Sequence, residues 1–259
     1  MTGTLGLKDK VVLITGGTKG IGRGIAEVFL AEDARVAVCA RREPDQLPQV
    51  GDNRANFFEI DVRDVEAVTN LMARIDSEYG CLDILINNAG GTPYGLVSET
   101  EPKVFEKIVQ LNLLAPLVMA QAANVVMQKQ EQGGVIINIS SVSAVRPSPG
   151  TAVYGAAKAG LNNLTASLAI EWAPKVRVNS IIAGLIKTEQ HHLHYGDDDG
   201  VAAVAKTIPL QRMGLPEDIG KLCALLSSDY NSYMSGSNVL AHGGGEAPAF
   251  LAATTANKN

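Results

Sequence analysis

The chain has 259 residues, 46% hydrophobic, 19% charged and 5% aromatic, with a formal charge of −5. That balance repels a phosphate backbone and offers nothing to an anionic membrane surface, so neither nucleic acid nor membrane is an expected partner. No apolar run approaches the ~20 residues of a membrane span, residues 11–14 are too short for the core of a signal peptide, and the expected location is the cytoplasm. Cys39, Cys81 and Cys223 are widely spaced and contain no C-x-x-C pair, so they read as small core residues and not as a disulfide framework or thiolate metal site.

In chain order, short β-branched runs alternate with segments of helical period, which makes a parallel sheet with helices on both faces. The strands fall at 11–15, 35–40, 56–60, 84–87, 135–139, 177–182 and 238–241, and the helices at 21–31, 65–79, 104–129, 152–172, 200–207 and 217–228. No repeat or charge block divides them, and a single domain over 1–259 is expected. The helix at 104–129 is apolar around most of its circumference, while that at 152–172 carries Gly155, Ala156, Ala157, Ala159, Gly160, Ala166 and Ala169. Both predict close helix contacts between copies, a homo-oligomer of two or four chains.

The first strand runs into Thr15-Gly16-Gly17-Thr18-Lys19-Gly20-Ile21-Gly22 and then straight into a helix. Glycines there let the backbone turn sharply and approach a pyrophosphate, while the helix start offers unpaired N–H groups and a positive dipole. In a dinucleotide fold the end of the second strand meets the adenosine ribose. Here it reads Cys39-Ala40-Arg41-Arg42, so no carboxylate grips a 2′-hydroxyl, and Arg41 with Lys19 offers positive charge to a 2′-phosphate. NADP(H) is favoured over NAD(H). Asp61-Val62 follows the third strand, where Asp61 also reads as a helix N-cap.

Asn87-Asn88-Ala89-Gly90 ends the fourth strand, Ser140-Ser141 follows the fifth, and Tyr154-Gly155-Ala156-Ala157-Lys158 opens a helix thirteen residues after Ser141. Positions i and i+4 share a helix face, so Tyr154 and Lys158 project into one site. A phenol titrates near 10; bringing it to neutrality takes about 4 kcal/mol of preferential phenolate stabilisation, which a neighbouring ammonium and a positive nicotinamide ring can supply.

Taken together these motifs, spread over nearly the whole chain, resemble the short-chain dehydrogenases/reductases. The resemblance implies a Rossmann-type doubly wound sheet of about seven strands and hydride transfer between a nicotinamide and a carbonyl or secondary alcohol. It implies Tyr154 as general acid or base, Lys158 on the nicotinamide ribose, Ser141 on the substrate oxygen, and Asn112 kinking its helix and positioning a proton-relay water. It further implies Gly16, Thr18, Gly20, Ile21, Gly22, Asn88, Ala89 and Gly90 against the cofactor, Asp61 and Val62 at adenine, Ile186 on the carboxamide and Thr188 on the pyrophosphate. The family's usual Pro-Gly is replaced by Ala183-Gly184, and Asp33 stands where a glycine is common. The spacing of Tyr154 and Lys158 argues against an enoyl reductase relative.

The expected substrate is a 3-oxoacyl thioester or another modest ketone; the alternative is a non-catalytic NADP-sensing or scaffold protein on the same fold. Residues 188–215 form an irregular polar lid holding His191, His192 and His194, which read as solvated or substrate-facing and not as a metal site. The tail at 247–259 is expected to fray or to lie across a neighbouring subunit.

Overall fold

The computed structural model describes residues 5–255. Seven strands form one parallel sheet: β1 (Val11–Thr15), β2 (Arg35–Ala40), β3 (Asn56–Glu59), β4 (Ile84–Asn87), β5 (Gly134–Ser141), β6 (Val176–Ala183) and β7 (Asn238–Ala241). Their spatial order is β3-β2-β1-β4-β5-β6-β7. The chain builds outward from β1 to β3 and then crosses to β4 on the other side of β1. The reversal leaves a crevice beyond the C-terminal ends of β1 and β4, which is where open α/β sheets bind ligands.

The alternation of a strand explains how one apolar run serves two cores. Val12 and Ile14 of β1 pack with Ile25 and Phe29 of α1 (Gly20–Ala31) and with Ile219 and Cys223 of a later helix. Val11 and Leu13 face the opposite way, toward Leu71 and Ile75 of α2 (Val65–Tyr79) and Met119 and Ala123. Cys39 and Cys223 are buried in these cores, as expected, whereas Cys81 is only half-buried beside Asp83.

The helix expected at 104–129 is interrupted. It consists of α3 (Pro102–Val109), a π-turn at Gln110–Leu114 and α4 (Ala115–Met127). This 26-residue run is apolar and long enough to cross a membrane by composition, contrary to the sequence count, but it packs against α2, β4 and β5 as a core helix. Leu114 and Val125 on its outer side stay exposed. The remaining helices are α5 (Ala152–Glu171), α6 (His192–Tyr195), α7 (Asp198–Thr207), α8 (Pro216–Ser227) and α9 (Ala249–Ala253).

Several local expectations are sharpened. Asp33 adopts a φ of 59°, taking the left-handed conformation its family position requires, and accepts a hydrogen bond from Asn53. Asp61 is not the cap of α2: Asp64 fills that place, accepting from the N–H groups of Glu66 and Ala67, because it directly precedes the first helical residue. Residues 188–215 are not irregular throughout, since they hold α6 and α7. The tail carries the short α9, and residues 256–259 lie outside the described part.

Candidate active site

A crevice of about 630 Å³ opens where β1 and β4 diverge. Every residue singled out above for cofactor or catalysis lines it except Gly22 and Asn112, which stand behind its wall. A second hollow of about 410 Å³, with Tyr94, Phe105 and Val153 on its walls, meets the first at Thr92, Thr151 and Tyr154.

Gly16, Gly17, Gly20 and Gly22 of the glycine turn cannot be replaced without strain, and two of them show why. Gly16 sits at a φ of 63° and donates its N–H to Cys39 O. At Gly22 an added Cβ would stand 2.2 Å from Gly16 O, so the start of α1 presses directly on the turn. Across the crevice, Asn88 ties the ends of β1 and β4 together: its side-chain amide donates to Thr15 O at 2.9 Å and to Gly16 O at 3.2 Å. Thr15 completes the clamp, its hydroxyl accepting from the N–H groups of Asn88 and Ala89, both at 2.9 Å. Sequence reasoning passed over Thr15; a hydroxyl closing an otherwise apolar strand was its only signal.

Asn112, fully buried, is where the helix kinks into the π-turn. The Asn112 amide donates back to the Ile108 carbonyl at 2.9 Å. The same side chain clamps Gly91 on both sides, accepting from its N–H and donating to its carbonyl, each at 2.9 Å. The expected kink is present, and its consequence is a fixed 88–91 loop. Behind it runs a polar chain that sequence reasoning missed. Asn87 donates to Pro116 O and to Asn138, and Asn138 donates to the Thr165 hydroxyl, which closes on Leu161 O. An asparagine inside the apolar run of β5 was the available signal. This chain joins β4, β5, α4 and α5 through the buried side of the site.

Tyr154 and Lys158 enter from the first turns of α5, and Ser141 from the end of β5. The Ser141 hydroxyl stands beside the Tyr154 phenol, whose pKa it pulls down, and accepts from the N–H of Ser143 at 3.2 Å. Ser140 directs its hydroxyl to the Lys158 carbonyl at 3.4 Å. Lys158 is 3% exposed; its ammonium donates to Ile139 O at 2.8 Å and stands 5.8 Å from the centre of the Tyr154 ring. Burial pushes this ammonium down to about 8.

Burial also pushes the Tyr154 phenol up, outweighing the Ser141 hydroxyl that pulls it down, and Tyr195 adds a smaller upward push. The lowered phenol expected from the sequence calls on a nicotinamide ring as well as the ammonium; the chain's own groups by themselves leave the phenol above its ordinary value.

The residues present fit a nicotinamide dinucleotide. The Ile139 carbonyl is the one hydrogen-bond partner of Lys158 among the described residues, so two of the three ammonium protons remain for ribose hydroxyls in the crevice. Past β6, the bridge between Ile186 and Gly214 uses the N–H of Lys187 and the carbonyl of Leu185, leaving the backbone groups of Ile186 for the crevice it lines. At the other end, Asp61 is held by Arg63, whose guanidinium donates to it at 2.9 Å and keeps its carboxyl below the ordinary range, with a smaller contribution from Arg41. Arg41 and Lys19 are exposed on the same crevice. Of the three histidines, His191 and His194 line it, His191 through a ring nitrogen 2.7 Å from Thr188 O.

Residues 16–246 match a family model described as enoyl-(acyl carrier protein) reductase. A 3alpha-hydroxysteroid dehydrogenase of Mediterraneibacter gnavus is 34% identical over 238 residues, covering 89% of this chain and 94% of that protein. Human dehydrogenase/reductase SDR family member 4 is 33% identical over 245 residues, covering 92% and 88%. Among solved structures, the ligand-free aldohexose dehydrogenase of Thermoplasma acidophilum superposes with a TM-score of 0.86 at 29% identity, covering 93% of this chain and 96% of that one. The names differ in reaction and substrate, and the family they share uses a nicotinamide cofactor. The chain belongs to the short-chain dehydrogenase/reductase family and is an oxidoreductase of alcohol or carbonyl groups.

Proposed function

We propose that the chain is an NADP(H)-preferring reductase or dehydrogenase of a ketone/secondary-alcohol pair, with Tyr154 moving the proton. When bound, the nicotinamide cofactor supplies or takes up the hydride. The observation that carries this reading is the convergence of Ser141, Tyr154 and Lys158 on the crevice that the glycine turn also lines.

Each side chain has a role that follows from its surroundings. Burial keeps the Tyr154 phenol protonated at neutral pH, which suits it to give its proton to a substrate oxygen during reduction. Ser141, beside that phenol, is placed to donate to the same oxygen as negative charge develops there. Lys158, with a pKa of about 8, is mostly an ammonium at pH 7 and favours return of the phenol to the charged form during oxidation. Asn112 acts on this site through the Gly91 backbone it clamps. Arg41 and Lys19, with no carboxylate at Ala40, support a 2′-phosphate at the adenosine end. Gln190, His191, His194 and Tyr195 give the substrate side of the crevice hydrogen-bonding walls, which support an oxygenated substrate. The exposed apolar side of α4 supports assembly with further copies.

The test is NADPH oxidation with a panel of 3-oxoacyl thioesters, ketosteroids, sugars and small ketones, with NADP⁺ reduction by the matching alcohols. A substrate should appear for the wild type, and Tyr154→Phe should lower its turnover by ~10²–10⁴-fold while still binding NADPH. Normal cofactor binding with no turnover across the panel favours a sensor; full activity in Tyr154→Phe refutes the proton role.

A further inference from the structure

A carboxylate from a distant segment sits on the helix start that the glycine turn feeds. The N–H of Gly20, first residue of α1, donates to Glu189 Oε1 at 2.9 Å, across a separation of 169 residues. We infer that Glu189 is a built-in competitor for the diphosphate of the cofactor: the segment after β6 occupies the helix start in the free protein and must release it for a dinucleotide to bind. This rests on the reading of the α1 start as the diphosphate site.

The comparison with other helices of the same chain explains why this contact is exchangeable. The first-turn N–H groups of a helix lack partners within it and attract negative charge. In α2 and α7 that demand is met locally and permanently, by Asp64 and by Asp197. In α1 the N-cap residue is Lys19, whose side chain makes no capping bond, and the first turn carries no acidic residue. A local carboxylate there would block the phosphate for good.

Glu189 comes instead from an exposed segment, next to Thr188, whose methyl stands 3.6 Å from where a Cβ on Gly20 would lie. Gly20, Thr188 and Lys19 all line the cofactor crevice. The carboxylate therefore satisfies the helix start without being tied to it by the fold, and an exposed bond of this kind is weak enough to yield to a ligand carrying two phosphates. Opening the segment and filling the site become one event.

The test measures equilibrium binding of NADPH and of NADH to the full chain, by fluorescence or calorimetry, for wild type, Glu189→Gln and Glu189→Ala, with thermal melting to show that each variant is folded. Both dinucleotides should tighten by about three- to tenfold in the variants, and by similar factors, because the diphosphate is common to them. Adenosine 2′-monophosphate, which lacks the diphosphate, should bind all three proteins alike. Unchanged or weakened dinucleotide binding in folded variants overturns the inference, as does an equal gain for adenosine 2′-monophosphate, which would mark a general effect of charge. A wild type that binds neither dinucleotide overturns the cofactor reading and this inference with it; normal wild-type binding without a gain in the variants overturns this inference alone.

Discussion

The two ends of the crevice are built on opposite principles. At the catalytic end the polar groups are buried and tied to the fold: Lys158 is 3% exposed, Asn138 1% and Asn112 0%, and each is bonded to another secondary-structure element. At the adenosine end Lys19 and Arg41 are exposed, and Asp61 is paired with Arg63 across one turn of loop. Buried polar groups are costly unless satisfied and fix geometry once they are, whereas exposed charges are screened and individually weak. The chemistry is thus bound to the fold, and recognition of the cofactor's far end can change without disturbing it.

The largest expected effect tests the buried end. Asn112→Ala removes three hydrogen bonds and strands the Gly91 backbone and the Ile108 carbonyl, for a loss of about 3 kcal/mol or more by chemical denaturation. Turnover should fall with it, because the 88–91 loop is released. A loss below about 1 kcal/mol would show that the π-turn holds without its asparagine.

Lys158 gives the next effect and a pH signature. Its ordinary value of 10.5 falls to about 8 in the folded chain because burial disfavours the ammonium. Below pH 8 both folded and unfolded chains carry the charge, and the folded state bears the full burial penalty. Between pH 8 and about 10.5 the folded chain gives up this proton while the unfolded chain retains it, so stability gains from Lys158 as pH rises. Measured against Lys158→Met as its baseline, the wild type should gain up to about 3 kcal/mol from pH 7 to 10.5. A constant difference between the two would mean that water reaches the ammonium.

How much of this was legible follows the same division. The sheet and the motif residues at its C-terminal edge announced themselves, because β-branched runs and glycine turns act over a few residues. The π-turn was not legible in the pattern itself, which runs on from α3 to α4 with Asn112 as the one polar residue between Gln110 and Gln121; the kink there came from the family resemblance alone. Asp61 was read as a cap although the helix was placed from residue 65; the residue directly before that start is Asp64, which takes the cap and leaves Asp61 to Arg63. The hairpin of Gln49–Val50 and Asn53–Arg54 is too short to show a period. The upward push of burial on the Tyr154 phenol was not legible, because a sequence reveals which charges share a helix face and not how much water they keep. Glu189 on Gly20 lay beyond any local pattern, since nothing in either neighbourhood points to the other.

The smallest of these effects tests the exposed end, and its selectivity matters more than its size. Arg41 is exposed, so Arg41→Asp should leave the melting temperature and the Asn112 clamp untouched. If the guanidinium meets a 2′-phosphate, the new carboxylate repels that group and can accept from the ribose hydroxyls of the unphosphorylated cofactor. NADPH should then weaken by about tenfold or more, while NADH changes little or tightens. Equal losses for both would place Arg41 in contact with something the two cofactors share. No loss for either would leave Lys19 as the cation to test, and in both cases the recognition end would lie closer to the glycine turn than the position of Arg41 implies.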